Sequence, residues 1–346
     1  MTGLTGREVR LVAYPQGEVR ESDFELVDAP IGPIGAGQVL VRNTWTSVDP
    51  GLRVRLRERG PEGYFVAFPL RSPMDGIMTV GEVIESRADG FAVGDTVWHA
   101  SGWRDYAVVT AGEEALRGLG TLRRLDVTET PPQAYLGVLG ANGLTAYAGL
   151  LRVAALREGD DVWVSAAAGS VGSVVAQLAK LRGHRVVGSA GSPAKVSYLL
   201  DEFGLDAAFD YHAGPVGELL REATPDGIDV YFDNVGGGHL EAAIGALRRG
   251  GRIAICGSIS EYDAADPPPG PSNMFLLVAK ELEMRGFRGS SHGDLLDEMQ
   301  RELGALLRDG RLHWRETVVD GLDSAPLALA QMMRGETMGK TLVRIA

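Results

Sequence analysis

The sequence is poor in the residues that build disulfides and metal sites. Cys256 is the only cysteine in the 346-residue chain, so no disulfide can form within one chain, and we expect a reducing, cytoplasmic compartment. The histidines are scattered, with no metal-binding spacing among them: His99, His184, His212, His239, His292 and His313. The sequence therefore excludes a cysteine-rich zinc site and predicts a protein without a metal.

The sequence also lacks long apolar runs and a basic charge balance. It has no apolar run of about 18 residues that could cross a membrane, and residues 1–20 lack the apolar core of a signal peptide. The formal net charge is −12, which would repel nucleic acid and anionic membranes. We therefore expect a small-molecule partner, with no nucleic acid and no membrane.

The spacing of apolar residues changes character near residue 125. Before it, short alternating runs lie between Gly, Pro and Asp turns, which predicts a mostly antiparallel β domain. Its strands are expected at 10–14, 38–46, 77–84, 96–99 and 106–109. After about residue 305, short strands return at 316–319 and 341–345, and this tail is expected to fold back on the first domain.

From Pro131, strands and helices alternate, which is typical of an α/β domain with a doubly wound parallel sheet. The strands are expected at 161–166, 184–189, 207–209, 228–232, 252–256 and 282–287. A chain of this length can hold two domains with full cores. We place the domain limits at 1–126, 127–304 and 305–346.

The stretch 159–195 carries the most informative motif. Ala167, Gly169 and Gly172 have the spacing of a G-x-G-x-x-G motif whose first glycine is alanine. A small-residue turn of this kind can be purely structural. This one follows a predicted strand and opens a predicted helix, where backbone N–H groups and the helix dipole favour a dinucleotide pyrophosphate.

The end of the second strand favours NADP over NAD. An NAD site places an acidic residue there, whereas residues 188–192 contain none. Ser192 and Pro193 are instead a predicted N-cap and first helical residue, with Lys195 in the first turn. A hydroxyl and an ammonium group at a helix start suit the added 2′-phosphate. The alternative is that Lys195 is only a solvated helix residue.

Loops after the later strands are expected to line the same crevice. Residues 233–238 and 256–258 are rich in small residues, which allow close backbone approach to a cofactor. Cys256 ends a buried strand and has no base near it in sequence. We interpret it as a small packing residue beside the nicotinamide rather than a nucleophile.

These motifs together resemble a known family. The stretches SVDPGLRVR (47–55), LGANGLTAYAGLL (139–151), YFDNVGG (231–237), GRIAICGSISEY (251–262) and GKTLVRI (339–345), with the glycine motif, are similar to zinc-independent medium-chain dehydrogenases/reductases. That branch holds leukotriene hydroxydehydrogenases, prostaglandin reductases and alkenal double-bond reductases. The resemblance implies a GroES-like β domain for substrate and catalysis, a Rossmann domain for NADPH, and a C-terminal return to the first domain.

The resemblance also implies an activity and a site. NADPH would reduce the carbon–carbon double bond of an enone or enal, and residues 169–172 would contact the pyrophosphate. Lys195 would contact the 2′-phosphate, and Tyr211 would lie along the adenosine ribose phosphate. Asn234 and residues 256–262 would border the nicotinamide. The implied cofactor residues are Ala168, Gly169, Ser170, Val171, Gly172, Ser192, Lys195, Tyr211, Asn234, Cys256, Gly257, Ser258, Ile259, Phe287 and Thr337.

Tyr262 is the one catalytic residue that the resemblance implies. It matches a family tyrosine placed near the substrate carbonyl, where charge develops as the β-carbon is reduced. A hydrogen-bond donor there lowers the barrier, and Tyr262 and a cofactor ribose hydroxyl are the candidates. A proton must also reach the α-carbon, from solvent or a bound donor. The alternative is that Tyr262 packs on the loop at 267–269.

The chain departs from the family pattern at several positions. Gly51 stands where a tyrosine is usual, and we expect it to enlarge or open the substrate pocket. Ala141-Asn142 replaces Met-Pro, and Thr337 replaces an asparagine. The segment 58–72 carries three aromatic residues and is expected to be longer than typical. The choice of substrate is expected to depend on 51–72 and 257–271, and a substrate bulkier than a simple alkenal is favoured.

Two other functions stay open, and a third is disfavoured. A zinc alcohol dehydrogenase would need Cys or His ligands that residues 46–49 do not offer. A quinone reductase would share the cofactor half, and a redox sensor would bind NADPH without turnover. The resemblance suggests a homodimer through the Rossmann domains.

Overall fold

The computed structural model describes residues 3–112, 122–264, 266 and 268–345. The chain divides into two compact units, Met1–Gly140 with Glu316–Ala346, and Ala141–Arg315. The strands of the described residues, in chain order, are β1 (Thr5–Leu11), β2 (Phe24–Pro30), β3 (Gln38–Val48), β4 (Thr79–Ser86), β5 (Thr96–His99), β6 (Tyr106–Thr110), β7 (Arg123–Arg124), β8 (Asp161–Val164), β9 (Arg185–Ala190), β10 (Ala207–Asp210), β11 (Ile228–Asp233), β12 (Leu247–Ile255), β13 (Glu283–Gly286), β14 (Glu316–Asp320) and β15 (Lys340–Arg344).

Helices of the described residues connect these strands. They are α1 (Gly51–Arg55), α2 (Ala141–Ala148), α3 (Ser170–Leu181), α4 (Pro193–Asp201), α5 (Val216–Ala223), α6 (Gly237–Ala246), α7 (Phe275–Ala279), α8 (Leu296–Arg308) and α9 (Ala325–Met333). A π-helical turn, Gly149–Val153, continues α2. The 3-10 helices are Glu21–Asp23, Pro132–Leu136, Ile259–Glu261, Gly289–Leu295 and Leu322–Ser324. Among these described helices, none is long and apolar enough to cross a membrane.

The first unit is built on a sheet in the order β14-β15-β3-β4-β5-β7, with β6 also paired to β3. Its pairs are antiparallel except β14–β15, which is parallel. The expected antiparallel β domain is therefore confirmed. β15 lies beside β3 with Thr341 opposite Val48, so the C-terminal tail lies in the sheet of this unit.

The first strand is shifted from its predicted place. It spans Thr5–Leu11 rather than 10–14, and β2, which the sequence analysis did not predict, pairs with it antiparallel. The backbone N–H groups of Val12 and Ala13 both donate to the carbonyl of Asp23, at 2.8 and 3.3 Å, which turns the chain out of the strand. β2 was missed because most of its residues are exposed and carry no apolar alternation.

The second unit contains a six-stranded parallel sheet in the order β10-β9-β8-β11-β12-β13. This confirms the predicted doubly wound sheet. β8 lies between β9 and β11. The chain runs from β8 to β9 and β10 on one side of it and then crosses to β11 on the other side. The strand order therefore reverses at β8, and the loops at the carboxyl ends of β8 and β11 lead to opposite sides. Buried apolar runs fit a sheet covered on both faces, and Trp163 stacks on Tyr231 with ring centroids 4.4 Å apart.

The predicted domain limits stay predictions. The segment Pro132–Leu136 contacts β3 and β4 of the first unit, and Ala141 begins the helix that opens the second unit. The observed units therefore change over at 140/141 and 315/316, whereas the sequence places the limits at 126/127 and 304/305.

Candidate active site

The turn between β8 and α3 brings a helix start close to a strand end. A Cβ on Gly172 would lie 2.3 Å from the carbonyl oxygen of Ala166, so only glycine permits this approach. A Cβ on Gly169 would lie 3.2 Å from the same oxygen, a milder contact. Ala166 itself has a φ of +47°, which is rare for a residue with a side chain. The sequence thus fixes the turn through small residues, as the motif predicts.

The start of α3 has the polarity that an anion needs. Gly169 is its N-cap, with extended backbone, and Ser170, Val171 and Gly172 form the first turn. The first N–H groups of an α-helix have no acceptor within the helix, and the helix dipole adds positive potential there. A pyrophosphate fits these donors, and the small Ala168 precedes them.

The end of β9 gathers the residues predicted to select the cofactor. The Ser192 hydroxyl caps α4 by accepting from the backbone N–H of Lys195 at 3.3 Å. Lys195 is half-buried, and burial lowers the pKa of its ammonium group. A Cβ on Gly191 would lie 2.8 Å from the hydroxyl of Tyr211, so the tyrosine ring lies directly against this turn. Ser192, Lys195 and Tyr211 therefore border one turn that carries no acidic residue.

A buried carboxylate organises the end of β11. Asp233 is fully buried, and its Oδ1 accepts from the Tyr231 hydroxyl at 2.7 Å and from the N–H groups of Val235 and Gly236 at 3.0 and 2.8 Å. Burial raises the pKa of this carboxyl group, although the hydrogen bonds oppose the shift. All three of these donors are uncharged. Backbone and phenol donors therefore hold the charge.

The loops after β8 and β11 are joined through Ser165 and Asn234. The Asn234 side-chain amide donates to the Ser165 carbonyl at 2.7 Å, and its backbone N–H donates to the Ser165 hydroxyl at 3.0 Å. The Tyr231 hydroxyl is 3.0 Å from the same serine oxygen. Sequence reasoning found Asn234 but missed Ser165 and Asp233. Their signal is a polar residue at the end of an otherwise buried strand.

The loop after β12 is fastened to the loop after β11. The N–H groups of Cys256 and Gly257 both donate to the Asp233 carbonyl, at 2.8 and 3.1 Å. The Ile259 N–H donates to the Asn234 carbonyl at 3.3 Å. A Cβ on Gly236 would lie 2.8 Å from the Cβ of Ser258, which explains the small residues in both loops. The structure thus brings these predicted nicotinamide residues together.

Cys256 has the chemistry of a packing residue. Burial raises the pKa of its thiol to about 12, so it is protonated near neutral pH. A thiol rather than a thiolate is a poor nucleophile.

Tyr262 caps the 3-10 helix Ile259–Glu261 and is half-buried. Its hydroxyl oxygen accepts from the Ser258 N–H at 3.4 Å and would lie 3.0 Å from a Cβ on Gly257. The phenol therefore lies over the loop that contains the predicted nicotinamide residues. The alternative packing on 267–269 involves Pro267, which lies outside the described residues.

Two further residues were predicted to contact the cofactor, and the Phe287 N–H donates to the Ile255 carbonyl, next to Cys256, at 3.2 Å. The Phe287 ring is half-buried, contacts Phe232 edge-on with centroids 6.0 Å apart, and would lie 2.4 Å from a Cβ on Gly149. Thr337 belongs to the first unit and precedes β15. The role of both as cofactor residues stays a prediction.

A buried lysine holds the Ser47–Asp49 stretch of the first unit. Lys340 is 3% exposed and donates to the Ser47 hydroxyl at 2.6 Å, the Val48 carbonyl at 3.1 Å and Asp49 at 2.6 Å. Burial lowers the pKa of Lys340 against the opposing effect of Asp49. Glu316 lies opposite Lys340 in the strand register, and burial raises its pKa to about 7. Sequence reasoning missed both residues.

The hydroxyl group of Tyr64 lies close to Gly51. An ideal Cβ at this residue would lie 3.3 Å from the hydroxyl oxygen of Tyr64, so another segment of the same unit adjoins it. The sequence could not show this contact because the two residues lie on different segments. Whether Gly51 enlarges the substrate pocket stays a prediction.

Comparisons with known proteins agree with this architecture. Residues 7–116 match the family model described as the N-terminal domain of oxidoreductase, and residues 170–305 match the one described as zinc-binding dehydrogenase. In the described residues, no group of three His, Cys, Asp or Glu side chains could hold a metal ion. The zinc in the second description therefore has no counterpart among the described side chains.

Similar proteins cover the chain almost end to end. It is 36% identical to the NADPH-dependent curcumin reductase of Escherichia coli, over 97% of this chain and 96% of that protein. It is 37% identical to the NADP(+)-dependent 2-alkenal reductase of Nicotiana tabacum, over 99% and 98%. The crystal structure of CurA in complex with NADPH from Vibrio vulnificus matches with a TM-score of 0.89 and 35% identity, over 98% and 99%. The chain therefore belongs to the medium-chain dehydrogenase/reductase family, in the subfamily of curcumin, alkenal and prostaglandin reductases.

Proposed function

We propose that the protein is an NADPH-dependent reductase of the carbon–carbon double bond of α,β-unsaturated ketones or aldehydes. The observation that carries the proposal is full-length similarity to the curcumin and 2-alkenal reductases, at 36% and 37% identity. The local geometry of the second unit supports the choice of cofactor.

The residues present fit NADPH. Gly172 lets the start of α3 approach the end of β8 closely, and the first turn of α3 offers N–H donors for the pyrophosphate. Ser192 and Lys195 at the start of α4 suit a 2′-phosphate, since a charge-assisted bond from an ammonium group is stronger than a neutral one. The absence of an acid after β9 removes the partner that NAD requires.

When bound, NADPH supplies the hydride for the β-carbon of the substrate. The protein must stabilise the negative charge that develops on the carbonyl oxygen, and Tyr262 is the donor that we assign to it. Its oxygen accepts from the Ser258 N–H, and a phenol that accepts a hydrogen bond is a stronger donor through its own proton. The α-carbon then takes a proton from solvent or from a bound donor.

A panel of substrates tests this proposal. With NADPH, the protein should turn over conjugated enones faster than quinones, and Tyr262→Phe should lower kcat for enones about 100-fold. Tyr135→Phe removes a hydroxyl that donates to the Asp126 carbonyl in the first unit, and it should leave kcat unchanged. Faster turnover of quinones would favour a quinone reductase. Tight NADPH binding with no turnover of either class would favour a redox sensor.

We further propose a homodimer through the second unit. β13 is the edge strand of the parallel sheet, and each of its residues is exposed. The preceding helix α7 exposes apolar side chains, with Phe275 77% and Val278 71% exposed. An exposed edge strand beside an apolar patch is a surface that proteins commonly cover.

Sedimentation analysis tests the dimer. The protein should have the mass of two chains, and Phe275→Glu should shift it towards one chain because a charge would be buried in the interface. Val93 is 67% exposed in the first unit, so Val93→Glu is a matched control that should stay dimeric. A wild-type protein with the mass of one chain would contradict the proposal.

A further inference from the structure

His239 is a buried histidine in the first turn of α6. It is 6% exposed, and its Nε2 has no hydrogen-bond partner among the described residues. Burial lowers the pKa of the imidazole to about 4, so the ring is neutral near neutral pH. A buried polar atom without a partner costs stability, and an aliphatic side chain would fill the space without that cost. The contacts of the ring therefore explain a histidine here better than packing alone does.

The ring of His239 lies between two aromatic side chains of the second unit. It stacks on the buried Trp163 of β8, with ring centroids 5.8 Å apart and an angle of 16° between the planes. It meets the ring of Tyr211 edge to face, with centroids 5.2 Å apart and an angle of 77°. Trp163 in turn stacks on Tyr231 at 4.4 Å. His239 thus connects the aromatic core of the sheet to Tyr211.

Tyr211 follows β10 and lies against the turn after β9. Its backbone N–H donates to the Ala190 carbonyl at 3.1 Å, and its hydroxyl oxygen would lie 2.8 Å from a Cβ on Gly191. In a doubly wound sheet, the residues at the end of the second strand bind the adenosine ribose of a dinucleotide. A ribose bound at this turn would adjoin Tyr211, whereas the buried His239 would act through Tyr211.

His239 restrains the Tyr211 ring more than its other neighbouring ring does. The centroid of the His212 ring is 4.2 Å from that of Tyr211, but the His212 side chain is 64% exposed. An exposed side chain keeps more rotamer freedom than a buried one, so it restrains its neighbour less. A side chain that is already ordered before the ligand arrives lowers the entropy cost of binding. The buried imidazole therefore preorganises Tyr211.

We propose that His239 is a positioning residue for the adenosine end of NADPH, and that it acts by holding the Tyr211 ring against the turn at 190–192. The proposal rests on the proposed NADPH-dependent function, because it concerns how tightly this cofactor is held. It gives His239 no part in the reaction itself. Replacing His239 should therefore raise the KM for NADPH, while kcat at saturating NADPH should be unchanged.

Binding of NADPH and of adenosine 2′,5′-bisphosphate, which represents the adenosine end alone, tests the inference by titration calorimetry. His239→Leu fills the space without a flat ring and should weaken the binding of both ligands about fivefold, because one aromatic contact that orders Tyr211 is lost. His239→Phe keeps a ring that can meet Tyr211, so both affinities should stay within about twofold of wild type. His239→Gln, a second variant without a ring, should show the same loss even if His239→Leu is unstable.

A second buried histidine of this unit provides a matched control. His184 is 8% exposed, and its Nδ1 bonds to the Asp160 carbonyl at 3.1 Å. It precedes β9 and so lies at the opposite end of that strand from the turn at 190–192. His184→Leu should therefore leave both affinities unchanged, whatever its effect on thermal unfolding.

A double-variant cycle separates positioning from a merely structural role. In a Tyr211→Ala background, His239→Leu should weaken binding less than about twofold, because the side chain that it positions is gone. A full fivefold loss in that background would overturn the inference. Wild-type affinity in both ringless variants, or equal losses in His239→Leu and His239→Phe with the native fold retained, would also overturn it. A wild-type protein that does not bind NADPH would contradict the proposed function as well.

Discussion

Two strand-end loops in this protein are held by carboxylates, the buried Asp233 and the partly exposed Asp49, and the negative charge is satisfied differently in each. In the second unit, Asp233 accepts from a phenol and two backbone N–H groups at the end of β11. In the first unit, Asp49 faces the buried ammonium group of Lys340 after β3. At Asp233, the dipoles of a local turn replace a counter-ion. At Asp49, the counter-ion is Lys340, which comes from a distant part of the chain.

The difference teaches how each loop depends on the rest of its unit. The Asp233 arrangement is built mainly from residues within a few positions of it, so it forms with its own turn. The Asp49 arrangement forms only when β15 pairs with β3, because Lys340 is 291 positions away. The α1 region should therefore be more sensitive to single substitutions of its anchor than the cofactor loops are.

The largest loss of stability is expected when Lys340 is replaced. Lys340→Met should lower the free energy of unfolding by about 3 kcal/mol, because removing one partner of a buried ion pair leaves the other charge uncompensated. Urea denaturation measures this loss. Adding Asp49→Asn should recover part of it by removing the stranded charge. A loss below about 1 kcal/mol would show that the pair contributes no more than an exposed one.

The next largest effect, on stability and on NADPH affinity, is expected for a substitution in the turn before α3. Gly172→Ala places a Cβ 2.3 Å from the Ala166 carbonyl oxygen, so the helix start must move, at a cost of about 2 kcal/mol. NADPH affinity, measured by fluorescence titration, should fall at least tenfold. Gly169→Ala is the matched control, with its contact at 3.2 Å, and should change the affinity much less. Equal losses of NADPH affinity in the two variants would show that the close approach of Gly172 to Ala166 is not the cause.

Replacing Lys195 should weaken the binding of NADPH but not the binding of NADH. Lys195→Ala should weaken NADPH binding about tenfold or more, because a charge-assisted bond to the 2′-phosphate is lost. NADH has no such phosphate, so its affinity should be unchanged. Lys180→Ala, which removes a lysine paired with Asp206, is the control and should affect neither cofactor. A wild-type protein that binds NADH more tightly than NADPH would contradict the role of Lys195.

The smallest effect is a change in the pH dependence of stability at Glu316. Burial raises the pKa of this carboxyl to about 7, above its ordinary value of 4.5, so between these values the native state binds more protons than the unfolded state. Its contribution to stability is therefore lost as pH rises from about 5 to 8. Glu316→Gln should flatten the fall in unfolding free energy over this range. Glu336→Gln, at an exposed carboxylate paired with Arg334, should not.

Sequence reasoning recovered what is encoded locally. The parallel sheet follows from apolar runs such as 161–166 and 228–232, and the glycine turn follows from residue sizes within one short stretch. The roles of Lys195, Tyr211 and Tyr262 rest on family motifs and stay predictions, although the structure gathers Lys195 and Tyr211 at one turn.

The rest depends on contacts between distant segments. The sequence gives no sign that Lys340 would meet Asp49, because that contact requires the register of β15 on β3. Only the fold shows that the hydroxyl group of Tyr64 lies close to Gly51. The roles of Ser165 and Asp233 were missed for a similar reason. These residues connect the ends of β8 and β11, which are neighbours in the sheet but distant in the sequence.

The central claim is that this protein reduces the carbon–carbon double bond of a conjugated carbonyl with NADPH. Product analysis by NMR, after incubation of 4-phenyl-3-buten-2-one with NADPH and the protein, tests it most directly. The account predicts the saturated ketone, with the carbonyl group intact and one NADPH consumed for each molecule of product. Formation of the allylic alcohol, or no consumption of NADPH, would contradict it.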